Sequence, residues 1–300
     1  ARRAAPAASC DRKMSTFCAT AFGTPIADLY LPFDQGMTHA INQTLSSVKR
    51  LSPQAATILD LGSGPGEPGC TLAANFPDAA IICSDVAHSM VDKATARAKS
   101  QGLVNVIAMV LDLGDLAMIP TDSQDVVTAN FAIMSTANLP RALQEINRVL
   151  RPGGFFVGTV WQAFSVPLLA SEVMMELIGE SLEPPAIDPM RSTMTEPRLL
   201  DSEFARAGLQ ASEGHNALHE ITFDLGPLAD LSAWKSVLIS HLAKLEQMEA
   251  SRHAIREQAR AAVERRAMAR GLVKEGRLEC PGMYRTFCLA KPAACTDAPA

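Results

Sequence analysis

The chain predicts a doubly wound α/β sheet, on three observations. Short apolar runs recur from residue 56 onward, stretches with helical periodicity separate them, and a glycine-rich turn follows the first run. The runs are continuous rather than alternating, as strands of a parallel sheet must be when helices cover both faces.

In order along the chain, residues 1–16 (ARRAAPAASCDRKMST) carry Arg2, Arg3, Arg12 and Lys13 against Asp11, without hydrophobic periodicity. They read as a disordered tail or the end of an organelle transit peptide, outside the fold. The stretch at 22–45 (FGTPIADLYLPFDQGMTHAINQTL) is an amphipathic segment within an N-terminal region at 17–50. Strands are expected at 56–62, 79–85, 106–112, 125–134 and 155–161, with helices in TLAANF, MVDKATARAKS and RALQEINRVL between them. Gly153-Gly154, after Arg151-Pro152, would end the last of these helices and turn the chain into the fifth strand, because glycine accepts the left-handed conformation at a helix C-terminus.

Beyond this core at 56–161, the region at 162–282 reads as a cap. It holds helices at 169–180 and 197–208, a Pro-rich loop between them and a sixth strand at 218–225. From Lys244 to Glu279, 15 of 36 residues are charged and none is proline, which predicts one long solvated helix before a last strand at 283–292. Met174, Met175, Met190 and Met194 are candidates for core filling or a soft pocket wall. All of 17–300 is read as one domain.

Composition narrows the function. The 300 residues carry 27 Lys+Arg against 32 Asp+Glu, a net charge of −5, so the cationic excess of a nucleic-acid binder is missing. No apolar run approaches the roughly 18 residues of a membrane span, which predicts a soluble chain. Seven cysteines, an odd number without a C-x-x-C pair, favour a reducing intracellular compartment, cytoplasmic or organellar, over a disulfide framework or zinc site. With 5% aromatic residues, an aliphatic core is expected.

The sharpest motif is ILDLGSGPGEPG, Ile58 to Gly69, where the first strand meets the first helix. Gly62, Gly64 and Gly66 would let the backbone approach a ligand at a helix N-terminus. A dinucleotide fingerprint requires G-x-G-x-x-G, and Glu67 stands where its third glycine would be, which disfavours NAD. Three acids accompany the loop: Asp60 on the first strand, Asp85 ending the second and Asp112 ending the third. In sheets of this topology, a carboxylate at the second position grips a ribose diol.

These residues resemble the class I S-adenosylmethionine-dependent methyltransferases. The resemblance covers roughly 56–161 through LDLGSGPGEPG, SDVAHSMVDKA, LDL, TANFAIM and INRVLRPGGFF. It implies a Rossmann-like seven-stranded sheet with the last strand antiparallel, a helical lid and cap, S-adenosylmethionine as cofactor, and methylation of a small molecule. Asp60 and the Gly62–Gly66 backbone, with Ser63 and Pro65, would hold the methionine part. Asp85 and Val86 would take the ribose segment, Met90 would pack on the adenine, and Asp112 with Leu113 would read its edge. Asn130 and Phe131 would lie beneath the methionine amino group, with Tyr30 closing from the lid.

The acceptor is less legible. Asn130-Phe131-Ala132-Ile133 departs from the Asn/Asp-Pro-Pro-aromatic signature for planar amino groups, and no oxygen cluster for a catalytic metal stands near it, so no metal is expected. Phe33, Gln35, Trp161, Arg191 and Arg285 are the candidate acceptor contacts, either arginine serving as a carboxylate clamp. His39, His215, His219 and His241 are candidate bases. Without an evident base, a nucleophile competent when neutral is preferred, such as the sulfur of a thioether carboxylate in dimethylsulfoniopropionate synthesis. O-, N- or C-methylation and a non-catalytic cofactor-binding partner subunit are the alternatives.

Overall fold

The computed structural model describes residues 31–178, 196–238, 245 and 254–293. Helix α1 (Leu31–Leu51) leads into β1 (Thr57–Leu61), α2 (Gly69–Asn75), β2 (Ala80–Asp85), α3 (His88–Ser100), β3 (Val106–Val110) and β4 (Gln124–Asn130). Helix α4 (Leu139–Val149), β5 (Leu150–Phe164), α5 (Ser165–Ile178), α6 (Pro197–Arg206), β6 (Gln210–Ala211) and β7 (Ala217–Pro227) follow. Last come α7 (Leu231–Val237), α8 (Ile255–Ala269), β8 (Val273–Lys274) and β9 (Arg277–Ala290).

The sheet runs β3-β2-β1-β4-β5-β9, with β6 and β7 both on the far edge of β9. Strands β1 to β5 are parallel, and β9 enters antiparallel between β5 and β7. Successive residues feed opposite faces. Ile58, Val126 and Val157 pack with Val48 and Leu72 on one side, while Leu59, Val127 and Phe156 pack with Leu143 and Phe204 on the other. The chain leaves β1 towards β2 and β3, then crosses back to β4 on β1's other side. That reversal opens a crevice at the carboxyl ends of β1 and β4.

Helix α4 shows why its sequence is helical: Leu139, Ala142, Leu143, Ile146 and Val149 form one buried face. Asn138 caps it by accepting from the Arg141 N–H, and Pro140 occupies its first turn.

Several expected boundaries shift. Strand β4 ends at Asn130, not 134, because Phe131 turns to φ +53° and a 3₁₀ turn follows at Ile133–Ser135. The Arg151–Gly154 segment lies within β5 as a register shift between Gln124 and Val126 of its partner. The charged run from Lys244 is not one helix to Glu279. Helix α8 ends at Ala269 and a β8–β9 hairpin follows, so the last strand starts at Arg277 rather than 283. Nor is α8 wholly solvated: Ile255, Ala259, Ala262, Val263 and Ala267 bury against α5 and α7 in a separate cap core. Its arginines pair with the cap, Arg266 with Glu176 at 2.8 Å and Arg270 with Glu172.

The sheet has nine strands among the described residues, seven long ones and the two-residue β6 and β8. No described helix is long and apolar enough to cross a membrane. Residues 1–30, 179–195 and 294–300, with Tyr30, Arg191, Met190 and Met194 among them, lie outside the described residues.

Candidate functional site

A cavity of about 810 Å³ occupies the crevice. One half is built from the loops that follow β1, β2, β3 and β4. Gly62, Ser63, Gly64, Pro65, Asp85, Val86, Met90, Asp112, Leu113, Asn130 and Phe131, all expected at the site, line it. Glu67 of the glycine motif also reaches it, as do Gly114, Asp115, Ala137, Asn138 and Arg141, which no motif had marked.

The loop is held by short polar ties. The Ser63 hydroxyl and N–H both donate to the Ser84 carbonyl, and the Ser84 hydroxyl donates to the Asp60 carbonyl. The Asp85 carboxylate accepts from the Gly64 N–H at 3.0 Å and the Ala87 N–H at 2.9 Å. Burial nevertheless pushes its pKa above the usual carboxylate value, those amide bonds opposing the shift. Gly64 sits at φ +52°, and a Cβ built on it would meet open space, so the backbone there is bare towards the cavity.

Two of the residues expected at the site, Asp60 and Gly66, are not among the cavity's lining. Asp60 is fully buried and stands outside the lining. It accepts from the Gly69 N–H at 2.9 Å and the Thr128 hydroxyl at 2.7 Å, so it ties β1 to β4 and to the start of α2. Burial pushes its pKa up to about 7, the two hydrogen bonds resisting. Gly66 is likewise behind the wall, where a Cβ would come within 3.1 Å of the Ala94 backbone. Its missing side chain lets the loop pack on α3 rather than reach a ligand.

The other half of the cavity is apolar. Met37, Ala40 and Ile41 of α1 line it, with Trp161 and Phe164 of β5, Val166, Pro167 and Ala170 of α5, and Val237 of α7. Phe131 stacks on Trp161 at 4.2 Å between ring centroids, and Phe164 stacks on its other face at 4.5 Å. Aromatic rings thus gather at this wall, and a second group, Phe156, Phe204 and Phe287, packs in the sheet core, so the interior is not wholly aliphatic. A β-bulge between Trp161 and Ala163 breaks the alternation of β5 and turns Trp161 and Phe164 to the same side. Gly282 on β9 makes the room, since a Cβ there would stand 3.2 Å from the indole.

Behind this wall, Tyr284 is fully buried and meets Phe131 edge to face at 5.6 Å. Its hydroxyl lies 2.7 Å from His39 Nδ1, and the His219 ring stacks on it at 4.9 Å. Burial, then the neighbouring His39, lowers the His219 pKa. Sequence reasoning named both histidines but not the tyrosine that joins them.

Arg285 faces away from the cavity. It points off the opposite side of β9 from Tyr284, where it donates to Asn216 Oδ1 at 2.9 Å. His215 is on that side too, paired with Asp201 at 3.0 Å. Phe33 and Gln35 lie on α1, but their side chains, like all of His241, are outside the described residues. Met174 fills the cap core and Met175 is exposed, so neither lines the cavity.

Asn130 anchors the boundary between the halves. Its Oδ1 accepts from the buried Thr44 hydroxyl of α1 at 2.8 Å, and its Nδ2 is buried with no hydrogen-bond partner. An unpaired donor at a cavity wall and a bare glycine backbone beside Asp85 fit a ligand bearing acceptor groups and hydroxyls.

A family model described as "Methyltransferase domain" matches residues 58–154. The malonyl-[acyl-carrier protein] O-methyltransferase of Methylococcus capsulatus is 36% identical over 37% of this chain, but the match spans only 39% of that relative's length. Trans-aconitate 2-methyltransferase of Methylobacterium radiotolerans is 26% identical over 67% of this chain and 75% of its own. The ubiquinone/menaquinone biosynthesis C-methyltransferase of Hydrogenovibrio crunogenus is 26% identical over 54% and 71%. Among solved structures, the YcgJ protein of Bacillus subtilis shares the fold, with a TM-score of 0.54 and 17% identity over 85% of this chain and 99% of its own. The matched segment runs from β1 into β5 and so contains every loop on the polar side of the cavity, and over that segment the chain is similar to a methyltransferase domain.

Proposed function

We propose that this protein transfers a methyl group from S-adenosylmethionine to a small molecule, with the cavity as its site. The observation that carries the reading is one continuous cavity, walled by a glycine loop and strand-end carboxylates on one side and by uncharged aromatic and aliphatic side chains on the other. When bound, the cofactor would supply a sulfonium methyl suited to in-line displacement.

On this reading the backbone from Gly62 to Pro65 holds the methionine portion, and the Nδ2 of Asn130 donates to it. Asp85 receives ribose hydroxyls on the lone pairs that Gly64 and Ala87 leave open. Val86 and Met90 flank the adenine, while Asp112 and the Leu113 amide read its edge. Asp60 and Gly66 shape the loop from behind. The lid remains part of the proposal: Phe33 and Gln35 precede Met37 on α1, with Tyr30 just before the helix.

The protein's own work is alignment and exclusion of water. Among the described residues no ionisable side chain lines the apolar half. On this reading the acceptor atom is one that needs no base from the described wall, as a thioether does. The carboxylate clamp expected for a thioether acid has lost Arg285 to the far side of β9, and only Arg191 is left of that pair.

Incubation with S-adenosylmethionine and panels of thioethers, phenols, amines and activated carbon acids, followed by mass spectrometry, should yield a product heavier by CH₂. Gly64→Val should abolish binding of S-adenosylhomocysteine in calorimetry while the circular dichroism spectrum stays intact, because its side chain would enter the cavity. Tight cofactor binding with no product from any panel would support the non-catalytic partner subunit instead. Unchanged binding in Gly64→Val would refute the site.

A further inference from the structure

We infer that the acceptor is a neutral, apolar molecule with an exposed π face, such as an aromatic or quinonoid ring, held against the edge of the Phe131–Trp161–Phe164 stack. The inference rests on the methyltransferase reading and narrows its substrate class.

Three large aromatic side chains, each only partly buried, line the cavity and offer apolar surface to a ligand. The stack also has a direction. Phe131 and Phe164 cover both faces of the Trp161 indole at interplanar angles of 17° and 13°. A ligand at Trp161 therefore meets the ring edge, and Tyr284 and Phe223 support the stack from behind. Aromatic edges carry the positive end of the ring quadrupole, whereas faces carry the negative end. An edge attracts the π face of another ring and gives no cation–π site for an ammonium group.

The opposite wall agrees. Met37, Ile41, Val166, Ala170 and Val237 present only hydrocarbon and thioether surface, and Ser171 is the one hydroxyl among them. An anion entering this half would lose its hydration without a described cation to replace it. Arg141, the arginine that lines the cavity, stands among the loops that carry Asp112 and Asp115 in the other half. The aromatic wall is also braced rather than adaptable. Phe131 is held in a left-handed conformation by its N–H bond to the Thr159 carbonyl at 2.9 Å, and Gly282 leaves no slack under the indole. Braced aromatic rings select flat partners over flexible ones.

The test compares 2-naphthol, 2-naphthoate and 2-naphthylmethylammonium, which share one ring system and differ in charge. Equilibrium dialysis against the full chain at pH 7 would be run with and without S-adenosylhomocysteine, whose own binding is followed by calorimetry on the same samples. The expected order has 2-naphthol binding at least tenfold more tightly than either ion. Trp161→Ala should weaken naphthol at least tenfold, while Trp234→Phe, a change within the cap, leaves it unchanged. Either ion binding as tightly as naphthol, or no binding of naphthol at all, would overturn the inference on the unmodified protein, whatever the variants do. Failure of S-adenosylhomocysteine to bind would instead overturn the underlying reading, so the two failures are distinguishable.

Discussion

At the scale of single residues, Asp60 carries more structure than its place before a glycine loop suggests. An acid two residues before a glycine loop reads as a ligand contact, yet its two oxygens are engaged by the Gly69 N–H and the Thr128 hydroxyl in a fully buried site. Asp60→Ala would orphan both donors, which costs about 1–3 kcal/mol for each buried group. Asp60→Asn can keep both partners, its carbonyl accepting from Gly69 and its amide donating to Thr128. The pH dependence separates charge from shape. The folded pKa is raised to about 7, above the ordinary 3.8, so the native state holds the proton more tightly than the unfolded state does. This group's contribution is therefore fully present below about pH 4 and is lost as pH rises through 7. Urea melts at pH 4.5 and 7.5 should differ less for Asp60→Asn than for the wild type. An unaltered pH difference would mean that Asp60 is not the titrating group.

At the scale of elements, α1 both lines the cavity and is fastened by polar contacts. It supplies Met37, Ala40 and Ile41 to the wall. It is pinned through Thr44 to Asn130, through His39 to Tyr284, and through Arg50 to the Glu213 carbonyl. His219 on β7 faces the His39 ring at 5.6 Å, beside Tyr284, whose hydroxyl burial keeps protonated up to about 12. The folded His219 pKa lies below its ordinary 6.5, so the native state binds fewer protons than the unfolded one just below that value. Its contribution is full above 6.5 and falls away as pH drops beneath it. Hydrogen exchange in the Met37–Leu51 segment should accelerate as pH is lowered from 7 to 5, after correction for intrinsic exchange, and His219→Asn should remove most of the acceleration. The same acceleration in the variant would assign the effect to another group.

At the scale of the molecule, the described residues form a sheet region and a cap region with the cavity between them. One core lies on the two faces of the sheet, and the other belongs to the cap of α5, α7 and α8 with β7 and the start of β9. A ligand touching both must stabilise their relative arrangement. At 100 times its dissociation constant, S-adenosylhomocysteine should add about 2.7 kcal/mol. For a chain of this size that corresponds to a rise in melting temperature of roughly 5 °C. Calorimetric scans with and without the ligand check it, and two separately melting transitions would show that the cap unfolds on its own.

What the sequence determined by itself was the local and repetitive part. Apolar runs at strand spacing, the periodic face of α4 and the glycine loop marked the sheet, its order of elements and the polar half of the cavity, because each depends on residues adjacent along the chain. Arg285 and Tyr284 are neighbours in sequence, yet one faces Asn216 and the other Phe131. Only pairing with β5 and β7 sets which side of β9 each takes. The aromatic wall was illegible for the same reason. Phe131, Trp161, Phe164 and Gly282 meet through a left-handed residue and a bulge, two departures from regular geometry that no periodicity encodes. Side-chain direction in a strand flips with every residue, so one inserted residue reverses it. Only the tertiary register of β9 against β5 decided what the apolar half of the cavity is made of.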